Sequence, residues 1–330
     1  MNALGTRIAA LIAAQGPISV AQYMMLALHD AEAGYYATRD PFGREGDFIT
    51  APEISQMFGE LVSACLADCW RRAGSPAKAV YAELGPGRGT LAADALRVMG
   101  KAGFVGEVHL VETSPALRLA QAERIAGANW HDEIAGLPPV PLLLAANEFL
   151  DALPVRQWNG GEERRVAIDG ERLRFTGQGE IQEDSPAREA AVAALARHLA
   201  MHGGVALIID YGHAQSAPGD TLQAVRGHGF ANPLADPGEQ DLTAHVDFEA
   251  VARAAVDAGA VVNGPVGQGD WLRRLGINER ARSLIASDPD KRHDIEQAIQ
   301  RLCAGDEMGE LFKVMAIRAA DWPEPAGFVA

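Results

Sequence analysis

Strand-like residues run directly into three alternating glycines in Val80-Tyr81-Ala82-Glu83-Leu84-Gly85-Pro86-Gly87-Arg88-Gly89. A short apolar run bounded by a turn signal reads as a buried strand, and residues 90–99 carry the helix that such a turn feeds. Glycines at alternate positions let the backbone reverse sharply and let a ligand approach where a Cβ would obstruct it. The run therefore predicts an open α/β sheet with a nucleoside-type ligand at the carboxyl edge of its strands.

The spacing Gly85-x-Gly87-x-Gly89 differs from the dinucleotide pattern G-x-G-x-x-G. Glu83, just ahead of the turn, would repel a pyrophosphate but suits the cationic amino-acid end of S-adenosylmethionine (SAM). A glycine turn alone serves any tight strand-to-helix connection; Glu83 and the acids that follow are what point to SAM. Neither H-E-x-x-H nor G-K-[ST] occurs, which argues against metallohydrolase and nucleotide triphosphatase chemistry.

Apolar runs at residues 108–112, 141–146 and 205–210 have the character of strands buried in a parallel sheet, and together with the first they predict a doubly wound fold. Residues 155–176 alternate, with turns at Gly160-Gly161 and Asp169-Gly170, and are expected to add antiparallel hairpins to that sheet. Residues 211–245 show little periodicity and read as a long irregular segment, while residues 310–317 read as a last, antiparallel edge strand. The first 76 residues read as helical: Leu4, Ile8, Leu11 and Ile12 recur at helical spacing, Ser19 can cap a second helix, and residues 53–70 form a third. Between the second and third, residues 40–50 are rich in turn formers and aromatics, as a loop folded over a ligand needs; an ordinary helix connection is the alternative.

Further acids fall where a cofactor site needs them. Glu112 ends the second strand, where a carboxylate can accept both ribose hydroxyls, or can simply be solvated. Asp132, after the third strand, is placed for an adenine amino group. Asn147 and Glu148 close the fourth strand, beside the point where an acceptor must enter. A carboxylate fixes a guanidinium by a bidentate contact, which makes Glu148 the candidate for an arginine acceptor; a helix cap or a local ion pair is its structural alternative. His213, His228, His245 and Asp247 could line an acceptor groove or accept a proton, although each alone reads as structural.

The charge balance, 44 acids against 29 bases, disfavours nucleic acid and suits a basic protein segment, though acidity also serves solubility. Cys65 and Cys69 share a helix face rather than a zinc knuckle; with Cys303 they are read as buried thiols in a reducing compartment, and no metal is expected. The apolar start, residues 4–14, is interrupted by Arg7 and reads as an amphipathic helix rather than a signal peptide. With no Arg-rich transit segment and no apolar run of membrane-spanning length, the expected location is the bacterial cytoplasm, without membrane insertion.

Five motifs then fall in order along nearly the whole chain. They are Gly46-Asp47-Phe48-Ile49-Thr50 with Pro52-Glu53-Ile54-Ser55, Glu83 through Leu91, Asn147 through Val155, Ile209-Asp210-Tyr211-Gly212, and Pro237-Gly238-Glu239-Gln240-Asp241-Leu242-Thr243. In these the chain resembles the mitochondrial complex I assembly-factor methyltransferases and their bacterial relatives. The resemblance implies a class I, Rossmann-like SAM-dependent methyltransferase sheet over residues 77–330, with insertions at about 155–185 and 211–245 and a helical part over 1–76 carrying a cofactor-covering loop. It implies a protein arginine methyltransferase that forms symmetric dimethylarginine on the complex I subunit lining the quinone channel, with S-adenosylhomocysteine (SAH) as by-product. Carried over by motif, Glu83, Gly85, Gly87 and Glu112 would bind SAM, Asp47 to Thr50 would close over it, and Asn147 with Glu148 would face the acceptor. Two other readings use the same site: an assembly chaperone with SAM as a structural ligand, and a methyltransferase of a small-molecule acceptor.

Overall fold

The computed structural model describes residues 1–38, 50–227 and 229–328; Asp47, with the rest of 39–49, and His228 lie outside the described residues. The central sheet is built from β1 (Val80–Leu84), β2 (Val108–Val111), β3 (Asn129–His131), β4 (Leu142–Asn147), β5 (Gly204–His213), β6 (Val261–Gly267) and β7 (Phe312–Arg318), in the order β3-β2-β1-β4-β5-β7-β6. The first five are parallel, and β7 runs antiparallel to both its neighbours. β1 and β4 are buried at every position, because helices cover both faces. Side chains alternate along a strand. Tyr81, Leu143, Leu207 and Ile209 meet the helices Gln56–Arg72 and Thr90–Lys101, while Ala82, Leu144, Ala206 and Ile208 meet Pro186–His202 and Phe248–Asp257. Each fully buried Leu or Ile contributes about 1.5–3 kcal/mol to this packing.

Four sequence expectations need correction. β7 is not the edge strand: β6 lies outside it, with its register shifted between Asn263 and Val266 around Gly264-Pro265. Glycine and proline inside a short run conceal a strand from pattern reading. The hairpins of residues 156–184 do not extend the central sheet; they form a second one with Ile18–Ser19, through the antiparallel pairs Ile18 with Val166 and Ser19 with Arg165. Residues 211–245 are not irregular throughout, since Gln223–Arg226, Gly229–Ala231 and Asp241–Thr243 form a three-stranded antiparallel sheet. The third N-terminal helix is two helices, Ala51–Ile54 and Gln56–Arg72, divided at Ser55, whose extended backbone and Oγ cap the second by accepting from Met57 N–H at 3.2 Å.

These pieces share a core of their own. Leu4, Ile8 and Ile12 of helix Ala3–Gln15 and Tyr23, Met24 and Leu28 of helix Val20–His29 pack with Val166 and Leu173 of the second sheet and with Ala224 and Leu242 of the third. The first two N-terminal helices and both insertions thus make one cap, whereas Gln56–Arg72 belongs to the central-sheet core. As expected, Ser19 caps its helix, its Oγ accepting from Gln22 N–H at 3.0 Å, and Cys65, Cys69 and Cys303 are buried free thiols. No described helix is long and apolar enough to cross a membrane.

Candidate active site

The carboxyl ends of β1, β2, β4 and β5 open into a cavity of about 1060 Å³ whose wall also includes Tyr36, Val225 and Asp241 from the cap. Gly85, Gly87 and Gly89 all adopt left-handed backbone, at φ 59°, 51° and 77°, where an L side chain is strained. Gly85 and Gly87 line the cavity. Gly89 does not appear on its wall; it is the residue before the helix Thr90–Lys101, and a Cβ there would come within 2.9 Å of Ile125 Cδ1. Its task is to turn the chain and let two elements close on each other. Glu83 is 3% exposed, accepts a 2.7 Å hydrogen bond from the Tyr81 hydroxyl, and is pushed up to about 8 by burial.

Beyond β2, Glu112 accepts from Ser114 N–H at 2.8 Å and from Gln121 Nε2 at 3.4 Å, and burial raises its carboxyl. The fully buried Gln121 also donates to the Gly87 carbonyl at 2.7 Å and accepts from Trp130 Nε1 at 2.8 Å. One side chain therefore ties together the glycine turn, the Glu112 carboxylate and β3. No motif points to Gln121; only its burial and three partners identify it. Asp132 lines the cavity from its exposed rim, paired with Arg118 at 2.5 Å.

Asn147, 8% exposed, ends β4 and donates to Glu148 Oε1 at 2.9 Å. Glu148 has φ 51°, a backbone strain of about 1–3 kcal/mol that the surroundings must impose. Asp210, fully buried in the last part of β5, holds the turn that follows: its Oδ2 accepts from Leu150 and Asp151 N–H at 2.9 and 3.1 Å. Burial and the neighbouring Asp151 push Glu148 up to about 8, against donation from Asn147 and from the Ala51 N–H. Ala51 follows Thr50, 9% exposed and also on the cavity wall, so the N-terminal helices reach the β4 end directly. Asp151, held by the Tyr211 hydroxyl, and Asp241, which accepts from the Tyr36 hydroxyl at 2.9 Å, complete an acidic floor. Arg188 lies behind this floor, but its guanidinium donates to the carbonyls of Leu150, Asp151, Ala244 and His245.

His213 is placed apart from these groups. With His245 and Asp247 it lines a second cavity of about 600 Å³, beside the parallel pairing of Gly212 with Val246 and His213 with Asp247.

The sequence profile of a family described as S-adenosyl-L-methionine-dependent methyltransferase matches residues 61–178 and 162–266. A Drosophila melanogaster protein named protein arginine methyltransferase NDUFAF7 homolog, mitochondrial, is 38% identical, covering 96% of this chain and 85% of its own. The chain belongs to this family of SAM-dependent methyltransferases. The human protein arginine methyltransferase NDUFAF7, mitochondrial, is 34% identical to the methyltransferase over 93% of this chain and 81% of its own. A Burkholderia thailandensis protein crystallised with SAH superposes with a TM-score of 0.86 at 29% identity, covering 99% of this chain and 94% of that one. The methyltransferase's own residues fit its cofactor. Asn147 Oδ1 is buried without a hydrogen-bond partner, Glu83 is a buried carboxyl on the cavity wall with no cation among the groups that shift it, and the turn at Gly85 and Gly87 leaves backbone bare toward the cavity.

Proposed function

We propose that this methyltransferase modifies arginine in a protein, and that its acceptor is a respiratory complex I subunit, the one lining the quinone channel, converted to symmetric dimethylarginine during assembly. The observation that carries the arginine reading is the acidic floor of Glu148, Asp151 and Asp241 at the end of β4. A guanidinium stays charged at all accessible pH and pairs bidentately with carboxylates. The names of the relatives, protein arginine methyltransferase NDUFAF7 and its homolog, support the same acceptor. The complex I subunit and the symmetric product follow the family resemblance carried by the five motifs.

In this reading Glu83 holds the ammonium of the cofactor, Gly85 and Gly87 admit its nucleoside past bare backbone, Glu112 takes the ribose hydroxyls, and Asp132 and Thr50 border the site. When bound, SAM supplies an electrophilic methyl on a sulfonium. Glu148 then orients the acceptor guanidinium, with one nitrogen free for in-line attack, and Asn147 steadies Glu148. Forming the new N–C bond releases one proton from that nitrogen. The guanidinium it binds favours the ionised form of Glu148, against the burial that raises it in the protein alone, so Glu148 acts as the positioning carboxylate and the released proton passes to solvent. His213, in the second cavity, has no part in this step.

The test is incubation of the full chain with isotopically labelled SAM and the purified quinone-channel subunit, followed by tandem mass spectrometry. Dimethylarginine that fragments with loss of monomethylamine is the expected, symmetric product. Label on another residue type, or on a small molecule alone, refutes the arginine reading.

A further inference from the structure

The three-stranded sheet inserted after β5 has two unlike faces. Ala224 and Leu242 turn into the core of the cap, so period-two alternation sends Gln223, Val225 and Thr243 the other way, and all three line the cavity. Register puts Val225 directly between Phe230 on one side and Asp241 on the other. The result is a transverse row running from an acid on the cavity floor, Asp241 at 5% exposure, to an aromatic at its mouth, Phe230 at 85% exposure. Met25, 46% exposed, also lines this cavity. Large apolar side chains left in solvent at the entrance to an acidic cavity are unlike singly scattered surface residues.

Resting on the arginine reading above, we infer that this face is the acceptor-recognition surface, and that the methyltransferase selects an arginine with a large apolar residue close to it in sequence. Charge complementarity fixes the orientation, with the guanidinium drawn to Glu148, Asp151 and Asp241 and the neighbouring apolar side chain left over Val225 and Phe230. Two strand spacings separate Asp241 from Phe230, roughly 10 Å. An extended segment advances about 3.3 Å per residue, so the apolar partner lies within about three residues of the arginine. Phe230 and Val225 are thus specificity residues, remote from the reacting atoms.

The experiment compares short synthetic peptides, each with a single arginine flanked within that distance by Leu and Phe or by Ser in their place. Labelled methyl transfer is measured with wild type, Phe230→Ala and Phe230→Leu, and SAH affinity is measured calorimetrically for each. The expected result is kcat/KM about tenfold higher for the apolar-flanked peptides. Phe230→Ala should abolish most of that preference, Phe230→Leu should keep it, and all three proteins should bind SAH equally. Equal rates on both peptide classes, or an equal loss on both in Phe230→Ala, overturn the inference while leaving the arginine reading in place. SAH binding with no transfer to any arginine peptide, where lysine or histidine peptides are modified, overturns both.

Discussion

Replacing Glu83 with glutamine should separate cofactor binding from its pH dependence. The carboxyl is 3% exposed, has the Tyr81 hydroxyl as donor, and is lifted by burial from 4.5 to about 8. At pH 7 the empty site therefore carries a proton on Glu83 in roughly nine molecules of ten. If the ionised form holds the ammonium of SAH, each binding event at pH 7 expels about 0.9 proton. The association constant then climbs roughly fifty-fold from pH 6 to pH 8 and levels off above. Calorimetry in phosphate and in Tris at pH 7 should give enthalpies that differ by about 0.9 of the difference between the buffers' ionisation enthalpies. Glu83→Gln should bind more weakly and lose the buffer dependence. Equal wild-type enthalpies in both buffers, or an undiminished dependence in Glu83→Gln, would refute the reasoning. The same shift acts on folding. Because the folded-state value lies above the unfolded one, ionising Glu83 destabilises the empty protein: the penalty is absent below about pH 4.5, grows toward pH 8, and is constant beyond. Glu83→Gln should accordingly stabilise the empty protein by a few kcal/mol at pH 8.5, read as a higher Tm, with no gain at pH 4.

Other substitutions test other parts of the site. Glu148→Gln should bind SAH as wild type does while kcat for arginine transfer drops by about 10²–10³; single-turnover kinetics with unchanged rates would remove Glu148 from the mechanism. Gly87→Val should abolish SAH binding with the circular dichroism spectrum intact, since φ 51° at that position disfavours a β-branched side chain. Gln121→Ala should raise the SAH dissociation constant about tenfold by releasing Gly87, Glu112 and Trp130 together; an affinity within error of wild type would limit Gln121 to packing. In Asp210→Asn only one oxygen remains for three backbone donors, Leu150, Asp151 and Tyr211. Unfolding by urea should show a loss of about 1–3 kcal/mol, and kcat should fall more than KM rises as the Glu148 turn relaxes.

What the chain encodes locally was open to reading. β1, β4 and β5 are apolar because helices cover both their faces, so each stands out as a short run without reference to the rest of the molecule. Glu83 lies near the end of β1 with the glycine turn just after it, Glu112 follows β2 and Glu148 follows β4, and an open sheet brings strand ends to one edge whatever the intervening loops do. β6 escaped because Gly264-Pro265 interrupts it, and the sheet at 223–243 because its strands, Gln223–Arg226, Gly229–Ala231 and Asp241–Thr243, are too short for their alternation to stand out from the surrounding turn formers.

The cap could be settled only by tertiary structure. Its joints span most of the chain: Asn2 Nδ2 donates to the Pro237 carbonyl, the Tyr23 hydroxyl to the Pro233 carbonyl and the Tyr36 hydroxyl to Asp241, across 235, 210 and 205 residues. No pattern within a strand or helix announces such a partner, since the contact offsets a loop-closure entropy that local sequence does not express. The same holds for the division of the polar residues beyond β5. Tyr211 reaches Asp151 at the cavity floor, whereas His213, two residues on, pairs alongside Asp247 in the second cavity. The residues on offer as a base or acceptor-groove lining were visible in the sequence; which of them share a space was decided by register and by packing between distant segments.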